Sequence, residues 1–263
     1  MARKLVRFLA TYAYALACCY YLFAVGFLSR RHRHLIRAIT GQFRYDPRRE
    51  PVIAIPQVQL SDLFGQAVDI HLAEIVPVYG NMSMLELTVL VQLVKARRPH
   101  TIFEIGTFDG RTALNMALNS PPDATIYTLD LPKEQLADVA LPLDGEDLTF
   151  IDKERSGARF AGTAYERQVI QLYGDSATFD FSPYVGQVDL VFVDGSHSRE
   201  YVAADSLTAL WLLRDGKGVI VWHDYTDWPG VTRALNDLYA QDKRFHGAQL
   251  IEGTTLVCLA TDC

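Results

Sequence analysis

The sequence predicts a doubly wound α/β domain, a mostly parallel seven-stranded sheet with helices on both faces. Three observations carry that expectation. Short β-rich runs alternate with helical stretches from about residue 100 to 241. The runs are almost continuously apolar, as in Val188-Asp189-Leu190-Val191-Phe192-Val193, which suits strands buried on both faces. With 263 residues and 49% hydrophobic composition, the chain can bury one sizeable core.

The first element is apolar. Phe8 to Leu28 carries no formal charge over 21 residues, and a helix of that length reaches roughly 31 Å, the thickness of a bilayer core. Arg30, Arg31, Arg33 and Arg37 outnumber Arg3, Lys4 and Arg7, so the positive-inside rule places the following domain in the cytoplasm. Two other readings stay open. One is a cleaved secretory signal, for which the sequence lacks a small-x-small site; the other is a soluble Ala/Tyr-rich helix packed on a partner subunit, in a cytoplasmic protein that forms a homodimer. Residues 1–40 are therefore an apolar helix with a basic flank. Residues 41–79 are linker and pre-domain segment, with Pro47 and Pro51 marking the linker over Gly41 to Pro56. The main domain spans 80–263.

Within it, Ser83-Met84-Leu85-Glu86 has the spacing of a capping box, so a helix starts there, runs to about Arg98 and stops at Pro99. Strands follow at 101–106, 125–130, 168–173, 188–194 and 218–223, with helices at 110–119, 199–214 and 230–241. Gln249 to Leu259 reads as two strands about a Gly turn, an antiparallel hairpin that closes one edge. Residues 132–166 have weak periodicity and many charges, as expected of an insertion over the strand ends.

Charge and cysteines narrow the partners. Residues 1–50 hold ten Lys/Arg against Asp46 and Glu50, a net +8 that leaves −14 for the rest of a chain whose total is −6. An acidic body argues against nucleic acid. Cys18, Cys19, Cys258 and Cys263 form no Cys-x-x-Cys pair, so neither a disulfide framework nor a zinc knuckle is expected, and a reducing compartment fits.

Ligands of open α/β sheets sit outside the carboxyl ends of the strands, and five of those ends are polar here. The first supplies Glu104-x-Gly106-x-x-x-Gly110-x-Thr112. Its glycines permit a tight turn, and the following helix aims free N–H groups at a ligand. Asp130 ends the next strand, 26 residues after Glu104, where a carboxylate can accept both hydroxyls of a ribose. A dinucleotide fingerprint would place its middle glycine at Phe108, and no Gly-Lys-Ser/Thr follows Gly110. An adenosyl ligand without phosphates is the remaining fit. Each residue also has a plainer reading: the glycines as a tight turn, Asp130, Asp175 and Ser176 as caps.

Glu104 to Thr112, Thr128-Leu129-Asp130, Tyr173-Gly174-Asp175-Ser176 and Val193-Asp194-Gly195-Ser196-His197 resemble, in order and spacing, the successive motifs of class I S-adenosylmethionine-dependent methyltransferases across residues 80–258. The resemblance implies a Rossmann-like methyltransferase fold with S-adenosyl-L-methionine as donor. It implies Glu104, Gly106 and Thr112 around its methionine and ribose, Asp130 on the ribose hydroxyls, Asp175 and Ser176 near the adenine, and Thr107 and Gly110 lining the same loop. The pairing of Asp194 with Trp222-His223-Asp224-Tyr225 is similar to O-methyltransferases that use a divalent metal, although His223 stands where those relatives usually carry a carboxylate.

Asp194 ends one strand and His223-Asp224 the next. If these strands are neighbours, the three side chains share one crevice, and carboxylates with an imidazole suit Mg²⁺, Mn²⁺ or Fe²⁺. A metal-free hydrogen bond between Asp194 and His223, or His223 as general base, stays open. His197, three residues past Asp194, is a candidate base for an acceptor hydroxyl, with a helix cap as its plainer role. The expected acceptor is a hydroxyl on a small molecule, a glycan or a lipid-linked compound. A nicotinamide-dependent oxidoreductase and a non-catalytic adenosyl-binding membrane protein are the rival classes.

Overall fold

The computed structural model describes residues 2–29, 32–33, 35–36, 52–64 and 68–261. Arg30, Arg31, Arg37 and most of the expected linker lie outside them. The chain divides into two compact units, residues 1–50 and 51–263.

In the first unit, helix α1 (Ala2–Ala24) ends in a 3₁₀ turn, Gly26–Leu28. Its segment Val6–Ala24 has mean hydropathy 1.3 and none of its residues is buried. By length and composition it is able to cross a membrane, and a signal sequence would share those features.

The second unit carries β1 (Gln57–Val58), β2 (Thr101–Ile105), β3 (Thr125–Asp130), β4 (Val169–Tyr173), β5 (Leu190–Val193), β6 (Val219–Trp222), β7 (Gln249–Ile251) and β8 (Val257–Ala260) in one sheet, ordered β1-β7-β8-β6-β5-β2-β3-β4. β8 runs antiparallel to β6 and β7, so the expected antiparallel C-terminal hairpin is present, although β1 pairs outside it and forms the edge; the other pairings are parallel. Successive residues of one strand serve opposite faces. Phe103 and Ile105 pack with Val202, Ala209 and Leu212 of α4 (Arg199–Leu212) and with Val231 and Leu235 of α5 (Pro229–Gln241). Ile102 instead meets Leu87 and Leu90 of α2 (Met84–Arg97) and Ala113 and Met116 of α3 (Arg111–Asn119). Helices therefore cover both faces, and the chain reverses its direction of travel between the adjacent strands β2 and β5.

One expectation needs correction: among the described residues the sheet has eight strands rather than seven. The extra strand is β1, paired in parallel with β7, and Ile55 just before it is buried. Tertiary partners hold this segment: Ala54 and Ile55 donate their backbone N–H to the Tyr225 hydroxyl, both at 3.1 Å. Two residues of strand leave no period to read in a sequence. The stretch 71–75 is likewise tied down, along α3. Asn119 brackets the backbone of His71 and Asn115 that of Ala73, while Arg111 donates to the carbonyls of Glu74 (2.7 Å) and Met82 (2.8 Å). Residues beyond this ladder wall the site.

The capping box forms as expected. Ser83 Oγ accepts from Glu86 N, and Ser83 N donates to Glu86 Oε2. Residues 132–166 fold over the strand ends as turns, with single helical turns at Lys133–Asp138 and Leu148–Ile151.

Candidate active site

The crevice opens where the chain reverses, at the carboxyl ends of β2 and β5. Gly106 leaves β2 with φ +101°, and a Cβ built there would lie 2.0 Å from the carbonyl oxygen of Asp194. Only glycine lets the two loops approach so closely. Gly110, φ +83°, starts α3, and its missing side chain makes room for Gly157 and Phe160 of the insertion. Beneath this turn Glu104 is fully buried, and burial pushes its carboxyl well above the usual range. The Thr128 hydroxyl donates to Oε2, while Oε1 has no hydrogen-bond partner.

One cleft is lined by Gly106, Phe108, Asp130, Asp175, Ser176 and Asp194. Glu104, Thr107, Gly110 and Thr112 do not line it. Thr107 is buried, in contact with Thr128 Oγ1 at 2.6 Å, and accepts from Gln171 Nε2 at 2.9 Å; Thr112 stands on the second position of α3. Asp175 accepts from the backbone of Ala140 (2.7 Å) and Ala177 (2.9 Å), so it caps a turn as well as facing the cleft. Asp130 is engaged from above by the insertion: Lys153 Nζ lies 2.8 Å from Oδ2, which also accepts from the Ser156 hydroxyl. Behind the cleft, Asp205 is buried, and burial pushes its carboxyl up to about 7, with Ser176 opposing and Asp175 adding. The folded state thus holds a proton that the unfolded chain has lost, and stability falls as pH rises from about 4 to 7. Asp205→Asn is expected to flatten that limb in urea midpoints taken at pH 4.5 and 7.5; an unchanged slope would count against it.

A second cleft shares Phe108, Phe150, Asp194 and Gly195 with the first and is otherwise walled by Val78, Tyr79, His197, His223, Asp224 and Trp228. The Phe108 ring stands where a dinucleotide fingerprint needs glycine, and it meets Phe150 edge-on at 5.9 Å between the clefts.

Asp194, His223 and Asp224 come together, as β5 and β6 are neighbours. Their ligand atoms lie within 4.8 Å of one another. His223 Nδ1 is 3.0 Å from Asp194 Oδ1 and 3.1 Å from Asp224 Oδ2, while Nε2 faces Glu86 at 3.5 Å. Burial works against charge on His223, but Asp224 and Asp194 outweigh it and raise the imidazole well above its ordinary value. Asp224 adopts φ +64°, is partly buried, and is held well below the usual carboxylate range by His223 and His197.

His197 is stacked on Trp228, ring centroids 3.9 Å apart and 16° from parallel. Its Nδ1 meets Asp147 Oδ1 at 2.5 Å and its Nε2 meets Asp224 Oδ2 at 2.9 Å. Burial opposes the charge, yet these two carboxylates raise the ring to about 10. The expected near-neutral base is therefore already protonated at pH 7 in this state. α5 closes on the loop from the other side, because Gly230 leaves the space where a Cβ would lie 2.1 Å from His197 O.

Asp147, Phe150, Lys153, Ser156, Trp228 and the second role of Glu86 were not legible beforehand. The insertion has no periodicity, and a capping box gives no hint that its carboxylate also faces a histidine. The glycine after Trp228-Pro229 was the one available signal.

Residues 103–225 match the family described as a methyltransferase domain. A caffeoyl-CoA O-methyltransferase-like protein of Arabidopsis thaliana is 29% identical over 181 residues, covering 66% of this chain and 69% of that relative. Among solved structures, the O-methyltransferase TomG of Streptomyces achromogenes, in complex with S-adenosylmethionine, aligns at TM-score 0.47 and 21% identity over 69% of this chain and 82% of its own. An O-methyltransferase of Bacillus cereus aligns at TM-score 0.46 and 18% identity over 70% and 84%. With the switch-point crevice and the matched segment in place, residues 103–225 carry a methyltransferase domain, and the chain is similar to O-methyltransferases.

Proposed function

We propose that the protein methylates a hydroxyl on a small, glycan or lipid-linked acceptor that presents a flat apolar face. The observation that carries this reading is the pair of clefts meeting at Asp194 and Gly195 between Phe108 and Phe150. Methyl transfer from a sulfonium requires donor and acceptor in line, reacting atoms about 3 Å apart and water excluded. Two adjoining clefts with an aromatic partition suit that geometry. Tyr79, Phe150 and Trp228 offer rings on which a phenol or the apolar face of a sugar can stack.

At the donor cleft, Gly106 keeps the end of β2 close to the Asp194 loop, Glu104 is buried behind the wall with Oε1 unpartnered among the described residues, and Asp175 and Ser176 line the cleft. The residues therefore suit an adenosyl ligand. Asp130 is placed for ribose hydroxyls once Lys153 and Ser156 yield. The acceptor oxygen's lone pair forms the new C–O bond as the C–S bond breaks and its electrons return to sulfur, and the hydroxyl proton leaves to His197 Nε2. His197 takes that proton only when Asp224 is drawn off it, since losing one of two carboxylates brings the ring back toward neutrality.

The cluster also suits a divalent metal. The carboxylates and the imidazole are ligands that Mg²⁺ or Mn²⁺ accepts, and Glu86 at Nε2 would leave Nδ1 as the ligand nitrogen. An ion held by Asp194, His223 and Asp224 would supply positive charge that favours ionisation of the acceptor hydroxyl. We expect calorimetry to detect the donor and its demethylated product but no nicotinamide dinucleotide. We expect chelation to lower turnover by at least about tenfold, with manganese restoring it. Dinucleotide heat without donor heat would sink the donor assignment, and undiminished turnover after chelation would remove the metal. Residues 8–28 are proposed to anchor the chain with its catalytic domain on the cytoplasmic side, an arrangement checked by carbonate extraction.

A further inference from the structure

Asp147 stands at the N-cap of the helical turn Leu148–Ile151, the place where an aspartate usually accepts from the first backbone N–H groups of its own helix. It does not. Its carboxylate is turned to the Ser196–His197 loop. Oδ1 meets His197 Nδ1 at 2.5 Å, Oδ2 accepts from Ser196 Oγ at 2.6 Å, and the His197 backbone N–H lies 3.2 Å from Oδ2. The side chain is buried, 5% exposed. Its only local contact among the described residues is Asp144 N, which donates to Oδ2 at 3.2 Å from before the turn, and the shorter contacts go to the Ser196–His197 loop.

We propose that Asp147 is the positioning residue for His197: it holds the proton at Nδ1 and selects one of the two flips of the ring about its Cβ–Cγ bond, so that Nε2 faces the acceptor cleft. The inference rests on the proton-acceptor role read above for His197. Trp228 fixes the plane of the ring but not which of its two flips it takes, and Asp147 at Nδ1, together with Asp224 at Nε2, selects one. Both ring nitrogens face carboxylates here, Asp147 at Nδ1 and Asp224 Oδ2 at 2.9 Å from Nε2; once Asp224 is drawn off, a neutral imidazole donates at one nitrogen and accepts at the other, and the carboxylate at Nδ1 makes Nε2 the accepting atom. The same turn carries Phe150 into the partition between the clefts, and Lys153 just beyond it reaches Asp130. One short segment of the insertion thus touches the ribose acid, the partition and the base.

The test uses the full chain with Asp147→Asn, Asp147→Ala, His197→Ala and the double variant Asp147→Ala/His197→Ala. Asp147→Asn keeps an acceptor for Ser196 and the backbone amide, but its amide N–H can face Nδ1 and favour the wrong tautomer. Its kcat is expected to fall about 100-fold with acceptor KM within about threefold and Tm near wild type. Asp147→Ala should add little to His197→Ala, since both act through one ring. A separate readout is the imidazole Nδ1 proton in NMR of the unmodified chain, expected downfield and absent from His197→Ala. Wild-type turnover in Asp147→Asn beside an impaired His197→Ala would overturn the positioning role alone, as would losses that multiply in the double variant. Full turnover in His197→Ala would overturn the base and this inference together.

Discussion

Gly106→Ala is expected to abolish donor binding and to destabilise the fold by more than about 4 kcal/mol, beyond the range of ordinary substitutions. The added Cβ would stand 2.0 Å from Asp194 O, 2.5 Å from its carbonyl carbon and 2.8 Å from Gly195 N. All three are backbone atoms, so no side chain can swing aside. Relief requires parting the ends of β2 and β5, which are paired up to Ile105 and Val193. A φ of +101° adds strain for any residue with a Cβ. Chemical denaturation and donor calorimetry check the outcome; a variant with wild-type midpoint and donor affinity would show that the two loops do not meet as described.

Asp224→Ala carries the second large effect, because Asp224 serves two imidazoles, the buried His223 at 3.1 Å from its Nδ1 and the largely buried His197 at 2.9 Å from its Nε2. Removing one member of a buried charged network costs about 3–5 kcal/mol, and turnover should be lost with it. The pH dependence separates this from simple unfolding. His197 is raised from 6.5 to about 10 and His223 is raised too, so their stabilising contribution is complete below pH 6.5 and disappears as pH climbs through 10. Urea midpoints of the native chain should therefore decline between pH 7 and 10. Asp224→Ala should decline less, since the imidazoles have lost a carboxylate that raised them. Asp224→Asn, a residue that tolerates the left-handed φ of +64°, should keep more stability than alanine while remaining inactive. Equal alkaline slopes in the native chain and the alanine variant would contradict the network.

Much of the fold was legible because its signals are local. Val188 to Val193 reads as a buried strand from composition alone, Ser83 and Glu86, three residues apart, announce a helix start, and the C-terminal hairpin follows from Gly253. β1 was not legible, because two residues have no period and Ile55 gains its place only from the Tyr225 hydroxyl and the β7 edge. In the site, the ends of β5 and β6 converge on one crevice as adjacency required. The residues above them did not announce themselves: Asp147 lies in a charged, aperiodic stretch, and its partner is 50 positions away.

The sequence by itself determined the alternation of strands and helices, the glycine loop after β2 that lacks a dinucleotide or phosphate-binding signature, and the polar strand ends, since each depends on residues within a few positions of one another. Only the tertiary structure decided the protonation of His197, the engagement of Asp130 by Lys153 and Ser156, and the partition of two clefts by Phe108 and Phe150. Those properties arise from charges and rings that distant segments bring within about 3 to 6 Å of one another, where Coulomb and contact energies become large, and no local pattern encodes that approach.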